Sequence, residues 1–209
     1  HLKIPAPSGG CRSYIAIHGG VSRQDGMHAT STYMPASLGG FDGGPASAGT
    51  ILHGGSISEA RSLPASHQLR YSMDFRFRVT VAPESDWLDL NVLCGESRVI
   101  SRRANRIGLE LEGPPMTLLR DTPIDSSAVF PGTIQCPPSG LPFLLGPDAQ
   151  TTGGYPRIAQ VVRADRHLIG QLRPGARVSF QQIEPAEARR LYRSKIALIR
   201  QLQPDFRLD

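Results

Sequence analysis

The segment "YSMDFRFRVTV" (residues 71–81) alternates between apolar and polar side chains without interruption. A period of two places every apolar side chain of such a segment on one face of a β-strand. The segment therefore predicts one long strand with a buried face and a solvated face, so the chain must supply a sheet and a core against the buried face. The apolar members are Tyr71, Met73, Phe75, Phe77, Val79 and Val81.

The other strand-like runs are short and are separated by glycine and proline. The chain has 22 glycines and 18 prolines among 209 residues. Many short strands with such turns favour a β-barrel or a sandwich over a helical bundle. The runs are "RSYIAIHGG", "WLDLNVL", "RVI", "RIGLELEG", "LPFLL", "RIAQVV" and "ARVSFQQI".

One helix is predicted near the C-terminal end, over "EPAEARRLYRSKIALIRQLQ". Pro185 suits the first turn of a helix, and Pro204 ends the segment. Apolar side chains recur in it at helical spacing, which predicts one face packed on the protein. The predicted contact residues are Ala188, Leu191, the stem of Lys195, Leu198 and Leu202.

The charged residues exclude two kinds of cofactor site. The formal net charge is +5, nearly all of the positive charge is arginine, and the only lysines are Lys3 and Lys195. A Walker A loop needs a lysine directly after a glycine, and neither lysine follows one. Biotin attachment needs a lysine in a tight turn, whereas Lys195 lies in the predicted helix. We therefore expect neither a Walker A site nor a biotin on this chain.

Cysteine and histidine spacing predicts no metal site and no disulfide framework. The cysteines Cys11, Cys94 and Cys136 are far apart, and no HxH or HExxH spacing occurs. No apolar run approaches the ~18 residues of a membrane span, and the basic runs typical of nucleic-acid binding are absent. We expect a cytoplasmic protein with reduced thiols that binds neither nucleic acid nor membrane.

Two segments carry polar residues beyond an evident structural need. In "SRRANRIGLELEG", Asn105 and Arg106 precede a strand, and Arg106 can hold a carboxylate or phosphate through two parallel bonds. In "GTIQCPPSG", Gln135 precedes a rigid double proline, either as an amide aimed into a cleft or as part of a plain turn. The adjacent Cys136 has no identifiable base, so we interpret it as a core thiol.

A third segment, "QTTGGYPRIA", is poor material for a helix or a central strand. Gly153 and Gly154 permit positive φ and close approach of the backbone to a ligand. Thr151 and Thr152 offer hydroxyl groups, and Gln150 offers an amide. Such a loop can bind an anion without a lysine. The alternative is a tight turn that leads into the strand "RIAQVV".

Five motifs occur in the order that is typical of one known family. They are "YIAIHGG", "STY…GGFDG", "ANRIGLELEG", "VFPGTIQCPPSGLPFLLGPDAQTTGGYPRIAQVVRAD" and "LIGQLRPGARVSF". The third resembles an Asn/Asp-Arg-Met-Gly-x-x-Leu-Glu-Gly stretch. The set resembles the carboxyltransferase-type family that includes the C-type subunit of 5-oxoprolinase, allophanate hydrolase subunit two, the KipI antagonist and the carboxyltransferase part of urea carboxylase.

The resemblance implies a mainly β fold of cyclophilin-like β-barrel lobes with a C-terminal helix. Residues 1–67 would be the remainder of a first lobe and residues 68–209 the second lobe. By position, it implies Arg106, Gln135, Gln150 and Thr151 as catalytic residues, and Asn105, Thr152, Gly153, Gly154 and Tyr155 as substrate-binding residues.

The resemblance also implies an enzyme subunit. The first interpretation is a subunit of an ATP-dependent amide or lactam hydrolase, most specifically a 5-oxoprolinase that converts 5-oxoproline to glutamate. It places no cofactor on this chain, and ATP comes with a KipI-like, subunit-B-type partner. The alternatives are a biotin-dependent carboxyltransferase domain for urea or amides, served by carboxybiotin on another chain, and a non-catalytic regulatory binder of a KipI-like partner.

Three departures from the family pattern bear on that activity. The family's segment ahead of "YIAIHGG" is missing here, so we expect an incomplete first lobe. Ala29 and Thr30 stand where a Ser-Arg pair is usual, and Ala104 stands where serine is usual. We therefore expect activity only with partner subunits.

Overall fold

The structure is a computed structural model that describes residues 9–17, 20–21, 31–41, 43–54, 66, 68–120, 123–204 and 206–207. The chain divides into two compact units, one of His1–Arg12 with Gln68–Asp209 and one of Ser13–His67. The assignment of residues 1–67 and 68–209 to two cyclophilin-like lobes stays a prediction. None of the helices in the described ranges is long and apolar enough to cross a membrane.

The larger unit contains nine strands and three helices within its described residues. The strands are β1 (Asp74–Val81), β2 (Arg98–Ile100), β3 (Gly108–Glu112), β4 (Ser127–Ala128), β5 (Thr133–Gln135), β6 (Phe143–Leu145), β7 (Thr152–Gly153), β8 (Arg157–Val161) and β9 (Arg177–Gln182). The helices are α1 (Leu90–Gly95), α2 (Arg166–Ile169) and α3 (Pro185–Leu202).

Seven of these strands form a closed barrel in the order β1-β8-β5-β6-β3-β2-β9. The barrel closes because β9 pairs with β1 in parallel, with Phe77 opposite Phe180, while the other neighbours pair antiparallel. The remaining strands, β4 and β7, form a separate two-stranded sheet. The prediction of a mainly β, barrel fold with a C-terminal helix is confirmed.

The barrel interior is apolar, as the alternation in β1 predicts. Residues opposite each other in a ladder share a face, so the registers extend the buried face of β1 around the barrel. Phe77 and Val79 are fully buried, and the Phe77 ring lies 6.1 Å from that of Phe180. The inward residues are Phe75, Phe77, Val79, Ile100, Leu109, Leu111, Ile134, Leu144, Ala159, Val161, Val178 and Phe180.

Two predicted strands are wrong. "WLDLNVL" forms a 3₁₀ turn (Ser85–Trp87) and helix α1, because the Asp89 side chain caps the helix by accepting a hydrogen bond from the Asn91 backbone N–H (2.9 Å). In "RSYIAIHGG", residues 12–17 form no strand, and His18 and Gly19 lie outside the described residues.

Helix α3 lies where the sequence predicts it, with Pro185 in its first turn. Its packed face differs from the prediction, because Ile196 is the buried residue while Leu198 is 44% exposed. Ala188, Leu191 and Lys195 are half-buried, as is Leu202.

A cluster of charged residues joins α3 and α2 to the barrel. The buried Asp165 carboxylate accepts hydrogen bonds from the backbone N–H (3.0 Å) and Nε (2.9 Å) of Arg78 on β1. On α3, Lys195 Nζ donates to the Ala164 carbonyl (2.8 Å) and lies 2.7 Å from His167 Nδ1. Burial, and then the Lys195 charge, lowers the pKa of His167.

The smaller unit is built largely of turns in its described residues. It contains a 3₁₀ turn (Met34–Ala36) and isolated bridges that join Val21 to Gly54, Tyr33 to Leu38 and Phe41 to Gly44. This agrees with the glycine-rich sequence of that region. The altered family positions Ala29 and Thr30 lie outside the described residues.

Candidate functional site

Gln135 lies on the outer face of the barrel, because Ile134 before it faces inward. It is nevertheless only 2% exposed, since residues 153–155 cover it. Its Nε2 donates to the Tyr155 carbonyl (3.0 Å), and the Cys136 backbone N–H donates to the Pro156 carbonyl (3.0 Å). The structure thus brings Gln135 and this part of the third segment together, as predicted.

The chain from Asp148 to Tyr155 forms a strap across the outside of the barrel. The middle of the strap is held by β4, which pairs with β7 in the register Ala128 to Thr152, and by the Val129 backbone N–H, which donates to the Thr151 carbonyl (2.9 Å). These backbone bonds fix the strap without using its side chains.

Several strap side chains are exposed. The side chains of Gln150, Thr151 and Thr152 make no hydrogen bond with any described residue, and Tyr155 is 52% exposed. One amide and two hydroxyl groups therefore face solvent from a fixed backbone. Such groups can donate to an oxygen atom that gains negative charge.

The two strap glycines differ from expectation. Neither Gly153 nor Gly154 has a positive φ. At Gly153, an added Cβ would lie 2.8 Å from Gln135 Nε2, so the absent side chain makes room for the Gln135 amide rather than for a ligand. At Gly154, the nearest atom to an added Cβ is the Ile124 carbonyl oxygen at 3.6 Å, an ordinary contact.

Arg106 lies at the first end of the strap. Its Nη2 donates to Asp148 Oδ1 (2.9 Å), and its Nε pairs with Oδ2 of the same carboxylate. The hydrogen bonds from Arg106 lower the pKa of Asp148. Asn105 accepts hydrogen bonds at Oδ1 from the backbone N–H groups of Ile107 (2.8 Å) and Gly108 (3.1 Å), so its side chain shapes the turn before β3.

Strand register separates Arg106 from Gln135. Gln135 pairs with Phe143 at the start of β6, whereas Arg106 precedes Gly108, which pairs with Leu145 at the end of β6. The strap begins beside Arg106 and ends beside Gln135. The structure therefore assembles two local groups joined by the strap, and their convergence on one cleft stays a prediction.

Other predicted features have simple structural positions. Cys136 is fully buried, and burial raises its pKa to about 11, which fits a core thiol. Ala104 is half-buried against the core. No group of three or more potential metal ligands occurs among His, Cys, Asp and Glu of the described ranges.

Sequence reasoning missed two charged residues. Asp148 was not predicted to occupy the Arg106 fork, although an acid at the start of a polar loop is a possible partner for an arginine. Arg98 was treated as an ordinary residue of a short strand, yet its side chain is completely buried. Its place two residues before the inward Ile100 was the available signal, because alternate residues share a face.

A closed barrel crossed by a polar strap places this chain in the carboxyltransferase class, and sequence comparison agrees. The chain belongs to the family described as carboxyltransferase domain, subdomain A and B, which matches residues 1–182.

Two curated relatives are named as the C-type subunit of 5-oxoprolinase. The protein from Escherichia coli K12 is 32% identical over 190 residues, covering 90% of this chain and 61% of the relative. The protein from Haemophilus influenzae is 27% identical over 208 residues, covering 97% and 66%. The chain thus spans less than two thirds of either relative.

The fold is also similar to a solved structure of the K. lactis urea amidolyase. The TM-score is 0.81 at 23% identity, covering 97% of this chain and 14% of that protein. This similarity supports the fold.

Proposed function

We propose that this chain is part of the C-type subunit of a 5-oxoprolinase, an enzyme that hydrolyses the lactam 5-oxoproline to glutamate with ATP. The observation that carries the proposal is the 32% identity over 190 residues to a relative that bears this subunit's name. ATP and the rest of the catalytic machinery are proposed to come with a KipI-like, subunit-B-type partner.

The strap supports a chemical role for this chain in that reaction. Lactam hydrolysis adds water to the ring carbonyl carbon, breaks the C–N bond and leaves a carboxylate and a protonated amine. Negative charge develops on the carbonyl oxygen as the bond to water forms. Thr151, Thr152 and Gln150 offer donors to that oxygen, and losing one preorganised donor of this kind costs about 2.7–4 kcal/mol.

The Gln135 and Arg106 side chains are proposed to act on the strap and the substrate in different ways. Gln135 is a positioning residue, because its Nε2 already holds the Tyr155 carbonyl. Arg106 is proposed to anchor the substrate carboxylate, which would compete with Asp148 for the planar fork. Lysine keeps the charge but cannot form that fork.

The test is ATP-dependent turnover of 5-oxoproline by the complete complex, with the partner subunits and the full-length form of this subunit. We expect turnover, a fall of about one hundredfold in kcat for Thr151→Val, and a rise in KM for Arg106→Lys. The matched controls are Thr117→Val, an exposed threonine away from the strap, and Arg120→Lys, whose surface ion pair joins Asp86.

Different failures of this test separate the parts of the proposal. No turnover by the wild-type complex contradicts the 5-oxoprolinase assignment and directs attention to carboxyl transfer from carboxybiotin or to regulatory binding. Normal turnover with unchanged kcat in Thr151→Val would contradict the role of the strap alone.

A further inference from the structure

The Arg98 guanidinium is the least expected group in the barrel. The side chain has 0% exposure. Its Nε, Nη1 and Nη2 atoms have no hydrogen-bond partner, and they are the only buried side-chain nitrogen or oxygen atoms without one in the part of the chain that the structure describes. Buried polar groups in proteins are nearly always hydrogen-bonded, so this charge calls for a partner.

Strand register places this guanidinium inside the barrel. Arg98 on β2 lies opposite Val178 on β9, and Val178 lies opposite Phe75 on β1. Residues opposite each other share a face, so Arg98 points inward with these two apolar side chains. It is the one charged side chain among the inward residues identified in the described strands.

The backbone beside Arg98 leaves room around the guanidinium. A Cβ added at Gly113 would lie 3.3 Å from Arg98 Cγ and 3.4 Å from Nη1. Any side chain larger than that of glycine would therefore crowd the guanidinium. The glycine and the unpaired donors are two independent features at the same end of the barrel.

The chain does not neutralise this charge in its described residues. Arginine does not lose its proton in proteins, even though burial lowers the pKa of Arg98. The closest thiol, Cys136, interacts with Arg98, but burial raises its pKa to about 11 and keeps it neutral at pH 7. Glu96 contributes a favourable charge from an exposed position and makes no hydrogen bond to the guanidinium.

We propose that Arg98 and Gly113 form a buried site for a small planar anion of the carboxylate or carbonate class, inside the barrel. An isolated buried ion costs several kcal/mol, and a bound anion removes most of that cost. Two oxygen atoms in one plane match the paired N–H groups of the guanidinium. The site is distinct from the strap, which lies outside the barrel.

The test uses thermal unfolding of the full chain in sodium formate, balanced with sodium gluconate to constant ionic strength. Formate is planar and small, whereas gluconate is too large for a closed barrel. At a formate concentration one hundred times its Kd, we expect the Tm to rise by about 5–10 °C. Arg98→Met should abolish this response and should not lower the Tm in gluconate, because an apolar side chain replaces an unpaired charge.

The matched control is Arg76→Met, which removes an exposed arginine from β1. It should retain the full response to formate. An equal rise in wild type, Arg98→Met and Arg76→Met would show general salt stabilisation and overturn the site. Absence of any rise in the wild type would also overturn it.

A second measurement remains decisive if Arg98→Met fails to fold. Isothermal titration of the wild-type chain with formate should give one bound anion per chain, and no detectable binding would overturn the proposal. Gly113→Ala keeps the charge but narrows the site, so it should weaken formate binding at least about tenfold. Unchanged affinity in that variant would contradict the proposed position of the anion.

Discussion

Replacing Gly153 with alanine tests how the strap is held against the barrel. The added Cβ would lie 2.8 Å from Gln135 Nε2, closer than real Cβ contacts allow. The backbone at Gly153 itself accepts alanine, because its φ is not positive. The Gln135 amide must therefore move and lose its 3.0 Å bond to the Tyr155 carbonyl.

The expected loss of stability follows from these two effects. Overfilling a packed site costs about 1–3 kcal/mol, and leaving a buried donor unpaired costs about 1–3 kcal/mol. Because the strap is partly exposed and can shift, we expect a total of about 2–4 kcal/mol. For a chain of this size that lowers the Tm by roughly 4–12 °C.

Urea unfolding of Gly153→Ala, Gln135→Ala and the double variant measures the coupling directly. Once the amide is removed, the added Cβ has space, so the double variant should be about as stable as Gln135→Ala alone. The matched control is Gly154→Ala, whose Cβ has no neighbour closer than 3.6 Å and should cost less than about 0.5 kcal/mol. Equal losses in Gly153→Ala and Gly154→Ala, or additive losses in the double variant, would refute this account of the strap.

Two further predictions concern the charged cluster beneath α3. Asp165→Asn should cost about 2–3 kcal/mol in urea unfolding, below the 3–5 kcal/mol of a fully buried pair because Arg78 is 35% exposed; a loss under 1 kcal/mol would contradict a structural role for this pair. The pKa of His167 is lowered by burial and by Lys195, so the unfolded chain binds a proton at higher pH than the folded one, and stability should fall as the pH drops through about 6.5. Lys195→Met should raise the pKa of His167 in an NMR titration, whereas the exposed control Arg193→Met should not; an unchanged value in both would show that the Lys195 charge does not act on His167.

Local sequence pattern predicted the barrel strands well where alternation was strong. The pattern of residues 71–81 identified β1 and its buried face, although the strand begins at Asp74 rather than at Tyr71. It failed for "WLDLNVL" because a side-chain cap at Asp89, rather than apolar content, determines that segment. In α3 the choice between Ile196 and Leu198 depends on how the helix docks, which periodicity alone does not fix.

The polar residues of the candidate site were found from the sequence, but their partners were not. Gly153 was interpreted as freedom for a ligand, whereas the structure shows it accommodating Gln135 from a strand eighteen residues earlier. Arg106 was interpreted as an anion anchor, and its fork holds Asp148. Such pairings depend on the order of strands around the barrel, and no local pattern contains that order.

The parallel seam between β1 and β9 has a consequence for how the chain reaches its native state. Phe77 and Phe180 lie opposite each other, about a hundred residues apart in the sequence. Until β9 has been synthesised, β1 and β2 each lack a neighbour, so a nascent or prematurely terminated chain exposes two unpaired strand edges. Bringing the first and last strands together closes a long loop, which makes slow folding the expectation. The seam thus delays completion of the barrel until nearly the whole chain is present, and it makes truncated products of this chain prone to aggregation.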